Sequence, residues 1–426
     1  MAAQQARPGP PSAGPSNDPR GSSEPLASSA RTRQRPGLWT AFPKCRFPKA
    51  SLWRSSRQSL DLASLPIGEI RALTGLRGAA ALMVLAVHAT PVLAPDAPAR
   101  LAAAVAHGQV AVDLFFVLSG FVLARAQAGL GRAGVPAFLW RRAWRIYPLH
   151  AAVLGALAAY VLAAGDGFIA PDFPWSRLLP TLLLVQPFLF HGTTDWNPPD
   201  WSIAVEVLCS LGLWPALAAL RAIGRPGVVA GVLALAAAAN LAAHGGETAG
   251  WPAVLRGACG FGFGMALARL AAAGGGHGRW ACGTAAELAA GGGFLVAVAA
   301  DVPAASVALA GWLVLALSGE GGAVSRVLRG RAMAWLGRRS FALYLVHVPL
   351  LIPFEGGWAW SCGPAGRLAA CGAYLALVAG VAALAEHWVE RPGRALAGPA
   401  RRMLRRLSRD GTGQRPNALP AASLRA

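Results

Sequence analysis

Apolar segments of about twenty residues recur along most of this chain and limit its fold more than any other feature. The stretch RALTGLRGAAALMVLAVHAT at 71–90 is one of them, and a helix needs ~20 such residues to cross the hydrocarbon core of a bilayer. Only 14% of the residues are charged, whereas soluble domains carry about 25%. The sequence therefore predicts an all-α, polytopic integral membrane protein. The candidate spans are 72–92, 108–126, 146–165, 201–220, 226–244, 252–271, 280–300, 303–318, 339–355 and 366–388.

The placement of basic residues predicts the topology of these spans. The 39 Lys and Arg residues collect at the two ends of the chain and in alternate loops, which the positive-inside rule assigns to the cytoplasm. This pattern predicts about ten transmembrane helices with both the N- and the C-terminus in the cytoplasm. The prediction requires that the segment 175–190, which Pro180 and Pro187 interrupt, lies in the interface or re-enters instead of spanning.

The two ends of the chain differ in composition from the apolar part. Residues 1–68 and 396–426 are rich in Arg and lack a sustained apolar period, so we expect them to be disordered basic cytoplasmic tails. A membrane domain then covers residues 69–395. The formal net charge of +20 does not indicate a nucleic-acid partner, because the basic residues do not gather on one face of a soluble domain.

The first span carries two ionisable side chains, Arg77 and His88, in a segment that is otherwise apolar. An ionisable group at membrane depth costs roughly 2.5–3.5 kcal/mol on insertion scales and usually has a function. The two positions are eleven residues apart, which places them on one face of a helix and about 16 Å apart along its axis. The structural alternative is that Arg77 extends to the cytoplasmic surface while His88 ends the span on the outer side.

Three more ionisable residues lie near the ends of the next two spans. Asp113 is expected at about the depth of His88, where a carboxylate can hold an imidazole in one tautomer; capping of its own helix is the alternative. Arg142 and Arg145 are three residues apart and share one helix face at the cytoplasmic surface. Paired guanidiniums suit phosphate groups, although positive-inside topology alone also places arginines here.

The cysteines and glycines of the spans predict packing and no cofactor chemistry. The six cysteines form no CxxC pair and show no metal-ligand spacing, so we expect neither a metal site nor a disulfide framework. The glycines of GACGFGFG (257–264), together with Gly120, are typical of residues that let membrane helices approach closely.

Six motifs follow one another along the predicted membrane domain. They are LTGLRGAAALMVLAVHA, VDLFFVLSGFVLA, FLWRRAWRIYPL, PPDWSIAVEVL, LGRRSFALYLVHVPL and VERP. In this order, between about residues 69 and 395, they resemble the membrane acyltransferase family 3 of bacteria, which includes O-antigen and exopolysaccharide O-acetyltransferases. The resemblance implies a multi-pass enzyme of the bacterial inner membrane.

The resemblance also implies a reaction and roles for named residues. The enzyme would transfer an acyl group, commonly acetyl, from cytoplasmic acyl-CoA to a hydroxyl of an extracytoplasmic carbohydrate or glycoconjugate, without a metal. His88 would be the general base, with Asp113 as its orienting partner; an acyl-histidine intermediate is the alternative. Arg77, which also belongs to the catalytic group, would bind CoA together with the arginine pair. The substrate-binding positions are Trp201, Ser202, Glu206, Ser340, Tyr344 and His347, of which Ser202 and Glu206 are expected at the outer, acceptor end.

Three departures from the family pattern, among them His150, and one rival class of function remain. His150 stands where the family often has an aromatic residue. The rival class is a transporter or flippase of a glycan or lipid-linked sugar, because ionisable residues in the membrane serve such proteins equally well. The lack of an evident inverted repeat and the arginine pair beside the membrane favour the enzyme. A polytopic scaffold would not need Arg77 and His88 on one helix face.

Overall fold

The computed structural model describes residues 69–164, 173–190, 196–272, 283–355 and 363–398, and every regular element within them is helical. The all-α prediction is therefore confirmed for this part of the chain. The predicted tails lie outside the described residues, apart from residues 396–398. The helices in chain order are α1 (Arg71–Leu93), α2 (Ala99–Ala106), α3 (Ala111–Ala126), α4 (Val135–Ala164), α5 (Trp175–Leu182), α6 (Gln186–Leu189), α7 (Asp200–Leu211), α8 (Leu213–Ile223), α9 (Pro226–His244), α10 (Gly250–Ala272), α11 (Thr284–Ala299), α12 (Pro303–Ser318), α13 (Ala323–Leu328), α14 (Arg331–Arg338), α15 (Ser340–Val346) and α16 (Gly363–Ala385). Short 3₁₀ turns lie at His107–Val110, Arg132–Gly134 and Pro349–Phe354. A π turn at Glu386–Glu390 follows α16, and residues 391–398 after it are again helical.

Several helical segments are long and apolar enough to cross a membrane, which supports a multi-pass membrane protein. The 6 that pass by length and composition are Arg71–Leu93, Ala99–Ala126, Arg132–Ala164, Pro226–His244, Gly250–Ala272 and Gly363–Gly398. Helices α7 and α8 make a further span if the pair, which bends by 58°, is counted as one. Helices α11 and α12 are apolar but only 16 residues long. The count of ten and the cytoplasmic termini stay predictions.

Two predicted segments are broken into short helices. The expected span 339–355 is not one helix, because α15 ends at Val346 and a 3₁₀ helix follows at Pro349–Phe354. Pro349 has no N–H and cannot continue the helical hydrogen-bond ladder. The segment 175–190 forms α5 and α6, of 8 and 4 residues, which are both too short to cross the hydrocarbon core.

Glycines bring central helices into backbone contact. Gly120 on α3 lies where an added Cβ would overlap the carbonyl oxygen of Phe261 on α10, and Gly264 on α10 stands in the same relation to Val117 on α3. Gly337 on α14 lies equally close to the Thr74 carbonyl on α1. The packing role predicted for Gly120 and for the 257–264 glycines is confirmed.

Carboxylates from distant parts of the chain cap two helix starts. The backbone N–H of Ala72 at the start of α1 donates to Glu320 at 2.9 Å. The N–H groups of Gly322 and Ser325 at the start of α13 donate to Glu287 at 2.9 and 3.0 Å. Because the first N–H groups of a helix have no partner within it, these contacts satisfy groups that would otherwise be buried unpaired. They also fix where α1, the helix of Arg77 and His88, begins.

We expect Gly120→Ala to destabilise the protein, because the new Cβ would force α3 away from the backbone of α10. Overpacking of this kind costs about 1–3 kcal/mol. The measurement is the thermal unfolding transition of the purified protein in detergent. Gly155→Ala is the matched control, since Gly155 lies within α4 with nothing near its Cβ position. Equal transitions for Gly120→Ala and wild type would contradict the close α3–α10 contact.

Candidate active site

Glu206 on α7 joins side chains from two other helices. Arg142 Nη2 on α4 lies 2.6 Å from Glu206 Oε1, and Ser119 Oγ on α3 donates to the same oxygen at 2.6 Å. Arg77 on α1 lies within electrostatic reach of both Glu206 and Arg142. The sequence predicts Glu206 at the outer end of the membrane and Arg142 at the cytoplasmic end. Their direct contact corrects this separation and places Glu206 among the arginines.

Two arginines of this cluster are unpaired. Within the described residues, neither Arg77 nor Arg145 forms a hydrogen bond or a contact ion pair, and Arg145 lies within electrostatic reach of Arg77 and Arg142. Two further carboxylates, Glu390 and Glu69, act on the cluster only at longer range, and Glu390 has Arg394 at 3.4 Å. Arg77 and Arg145 are therefore left without a carboxylate in contact among the described residues. Such a cluster suits a ligand that carries several negative charges.

A small pocket extends from this cluster, with a cavity volume of about 50 Å³, or about 450 Å³ when all the space open to solvent is counted. Arg77, Ser119 and Glu206 line one part of it, and Ser202 and Tyr344 line another. The remaining lining is largely apolar and aromatic, with Val112, Phe115, Phe116, Ile203, Ser340 and Phe341. The structure thus brings together four predicted substrate-binding residues, which are Ser202, Glu206, Ser340 and Tyr344.

A hydrogen-bonded pair of hydroxyls lies in the pocket wall. Ser202 Oγ and Tyr344 OH are 2.8 Å apart, and both reach the carbonyl oxygen of Pro199 at 3.2 Å. The pair connects α7 with α15. Trp201, in contrast, does not line the pocket but is buried with its ring 5.9 Å from that of Phe116.

His88 on α1 meets His347, which directly follows α15. His347 Nε2 lies 3.2 Å from His88 Nδ1, and the ring centroids are 5.0 Å apart at 64°. His88 Nδ1 is also 3.0 Å from the carbonyl oxygen of Val84. His88 is half-buried and is not among the residues that line the pocket, but Tyr344, one turn before His347, is. The two imidazoles therefore lie beside the Tyr344 end of the pocket.

Asp113 does not orient His88. Both of its oxygens accept hydrogen bonds from Arg256 on α10, at 2.8 Å from Nε and 2.7 Å from Nη2, and both side chains are buried. Arg256 also lies over the Trp201 ring, 5.4 Å from its centroid. The expected Asp113–His88 contact is therefore wrong, and the neighbour of His88 is another histidine.

Comparisons with known proteins show which family the chain belongs to. A family model described as an acyltransferase domain matches residues 70–386. The chain belongs to this family. Acyltransferase MdmB of Streptomyces mycarofaciens is 32% identical over 366 residues, which cover 77% of this chain and 92% of its own. Protein 2 in the picA locus of Rhizobium radiobacter is 31% identical over 187 residues, covering 39% of this chain and 94% of its own. No solved structure matches.

This membrane acyltransferase also contains a buried polar network that the sequence analysis did not predict. His150 on α4 has Nδ1 3.2 Å from Asp200 and Nε2 2.9 Å from the Thr181 carbonyl oxygen. Asn197 Nδ2 donates to Asp200 at 2.9 Å and to the Leu345 carbonyl oxygen at 3.2 Å. The network ties the arginine-bearing α4 to α15. The one signal in the sequence was His150 itself, a polar residue where the family often has an aromatic one.

We expect Asp113→Asn to destabilise the protein strongly, because it leaves the buried Arg256 charge without its carboxylate. Removal of one partner of a buried ion pair costs about 3–5 kcal/mol. The double variant Asp113→Leu with Arg256→Met should recover most of that loss, since it removes both charges together. Thermal unfolding of the three proteins in detergent measures this. A double variant less stable than Asp113→Asn would show that the pair does not stabilise the bundle in this way.

Proposed function

We propose that this membrane acyltransferase takes an acyl group, commonly acetyl, from cytoplasmic acyl-CoA. The group passes to a hydroxyl of a carbohydrate or glycoconjugate on the other side of the bacterial inner membrane, with His88 as the general base. One observation carries the proposal: Arg77, which belongs to the arginine cluster and lines the pocket, and His88 lie about three turns apart on one helix, α1.

The donor is inferred from the charge of the cluster. CoA carries several phosphate groups, and guanidiniums bind phosphate through paired, charge-assisted hydrogen bonds. Arg77 and Arg145 have no carboxylate in contact among the described residues, so their guanidinium N–H groups are available to a ligand. Arg142 is held by Glu206 and keeps the cluster together.

The distance between Arg77 and His88 along α1 is similar to the length of the pantetheine arm of CoA. Arg77 and His88 are separated by about 16 Å along the axis at 1.5 Å per residue. The pantetheine arm of CoA, extended, is on the order of 15–20 Å by the reach of a chain of similar bond number. Phosphates held at Arg77 would therefore allow the thioester carbonyl to approach His88.

The reaction follows from these positions. Neutral His88 accepts the proton of the acceptor hydroxyl, whose oxygen attacks the thioester carbonyl. A carbon–oxygen bond forms, the carbon–sulfur bond breaks, and the CoA sulfur takes the proton from His88. The hydroxyls of Tyr344 and Ser202 have one hydrogen each and use both between themselves and the Pro199 carbonyl oxygen, so either would stabilise the developing oxyanion only after turning away from that carbonyl. The acceptor class rests on the family resemblance and on a pocket that combines hydroxyl groups with aromatic rings.

We expect His88→Ala to lower kcat by about 10²-fold or more, because the hydroxyl loses its general base. The purified protein in detergent is assayed for acetyl transfer or hydrolysis from acetyl-CoA, and acetyl-CoA binding is measured in parallel and should persist. Thr90→Ala, a change on the same helix whose side chain bonds only to the Ala86 carbonyl, is the matched control. Full activity in His88→Ala would overturn the assignment of the base.

We expect Arg145→Gln to raise KM for acetyl-CoA about tenfold or more with kcat little changed, since a charge-assisted hydrogen bond contributes about 1.5–3 kcal/mol. This variant leaves no carboxylate unpaired, which makes it more informative than removal of Arg142. Arg141→Gln is the control, because Arg141 is exposed on the same helix. Equal KM values for the two variants would count against the arginine cluster as the CoA site.

A further inference from the structure

The contacts of His347 determine which of its nitrogens carries hydrogen. Its Nδ1 lies 2.8 Å from the Tyr344 carbonyl oxygen, which can only accept a hydrogen bond, so Nδ1 carries the hydrogen. His347 is 1% exposed and contacts no carboxylate within the described part of the chain. A charged imidazole without a partner is costly in such a place. His347 is therefore neutral, and its Nε2 presents a lone pair.

The same logic then determines the tautomer of His88. Two acceptors face His88 Nδ1: the Val84 carbonyl oxygen at 3.0 Å and the His347 Nε2 lone pair at 3.2 Å. His88 Nδ1 must therefore carry the hydrogen and donate it. In a neutral imidazole this leaves the lone pair on Nε2, which has no hydrogen-bond partner among the described residues.

From this geometry we propose that His347 is a positioning residue for acyl transfer: together with the Val84 carbonyl oxygen it holds His88 in the tautomer whose Nε2 is the base. The proposal rests on the proposed function of His88. When the acceptor hydroxyl gives its proton to His88 Nε2, the ring becomes an imidazolium. Its Nδ1–H then donates a charge-assisted hydrogen bond to His347, which stabilises the charge. The Nε2 proton passes to the departing CoA sulfur, and the original tautomer returns.

Side chains from two other parts of the chain hold His347 in place. Tyr374 on α16 donates its hydroxyl hydrogen to the His347 carbonyl oxygen at 2.9 Å. Asn197 donates to the carbonyl oxygen of Leu345, two residues earlier. Both carbonyls belong to the end of α15, where Pro349 has no N–H to offer and Leu351 bonds instead to Val348. His347 is thus fixed by groups that do not depend on substrate.

The test compares His347→Leu with His347→Gln in the full-length protein in detergent. Leu leaves His88 Nδ1–H only the Val84 carbonyl oxygen and offers no side-chain acceptor to the imidazolium, whereas the Gln side-chain oxygen lies near the position of the imidazole Nε2 and can accept this hydrogen bond. We expect His347→Leu to lower kcat about 10²-fold with KM for acetyl-CoA unchanged, and His347→Gln to recover kcat to within about tenfold of wild type. A Gln variant as inactive as the Leu variant, or a Leu variant with wild-type kcat, would overturn the proposal.

A measurement on the wild-type protein tests the inferred tautomer of His88 directly and does not depend on the folding of either variant. Nitrogen-15 NMR of histidine-labelled protein distinguishes the two neutral tautomers, and His88→Gln identifies the His88 signals by their loss. We expect His88 to be protonated at Nδ1, and protonation at Nε2 would overturn the inference. Full activity in His88→Ala would instead overturn the general base itself, so the two failures are distinguishable.

Discussion

The interior of the helix bundle requires a partner for each buried charge, and the candidate site lies where this requirement is only partly met. Asp113 and Arg256 satisfy each other through two hydrogen bonds, and Glu287 is satisfied by backbone N–H groups. Around Glu206, in contrast, Arg142 has a carboxylate in contact, whereas Arg77 and Arg145 have none among the described residues. Because unpaired charge in a low-dielectric region is costly, an anionic ligand stabilises the protein and is itself stabilised. If acyl-CoA binds here, its phosphates supply the negative charge that the unpaired arginines of this cluster lack.

The orientation of α1 depends on glycine contacts. Gly75 and Gly78 lie against the backbones of α13 and α14, and Gly337 returns the contact from α14. Because no Cβ fits at these positions, the rotation of α1 about its axis is determined by backbone packing rather than by long, flexible side chains. That rotation decides where Arg77 and His88 point. The glycines at the contacts of α1 therefore determine the positions of the Arg77 and His88 side chains.

Properties of single helices could be predicted from the sequence, and contacts between helices could not. Apolar length predicted α1, α9 and α10 closely, and the cost of ionisable groups in the membrane singled out Arg77 and His88. Sequence spacing relates residues only within one helix, so it did not reveal that Asp113 pairs with Arg256 on another. The sequence does indicate that buried Arg256 needs a carboxylate partner, but several carboxylates could serve equally well. Only the packing of α3 on α10 selects between them.

The break in the helix at 339–355 frees backbone carbonyl groups that hold His347 beside His88. In a continuous helix the carbonyl oxygens of Leu345 and His347 would accept from N–H groups four residues later. Pro349 removes the first of these donors and the 3₁₀ turn redirects the second, so Asn197 and Tyr374 take their places. The carbonyl of Tyr344 meets the imidazole of His347 and thereby sets its tautomer. The sequence predicts this segment as one continuous span. Its irregularity instead provides the polar backbone groups that hold a second histidine against the first.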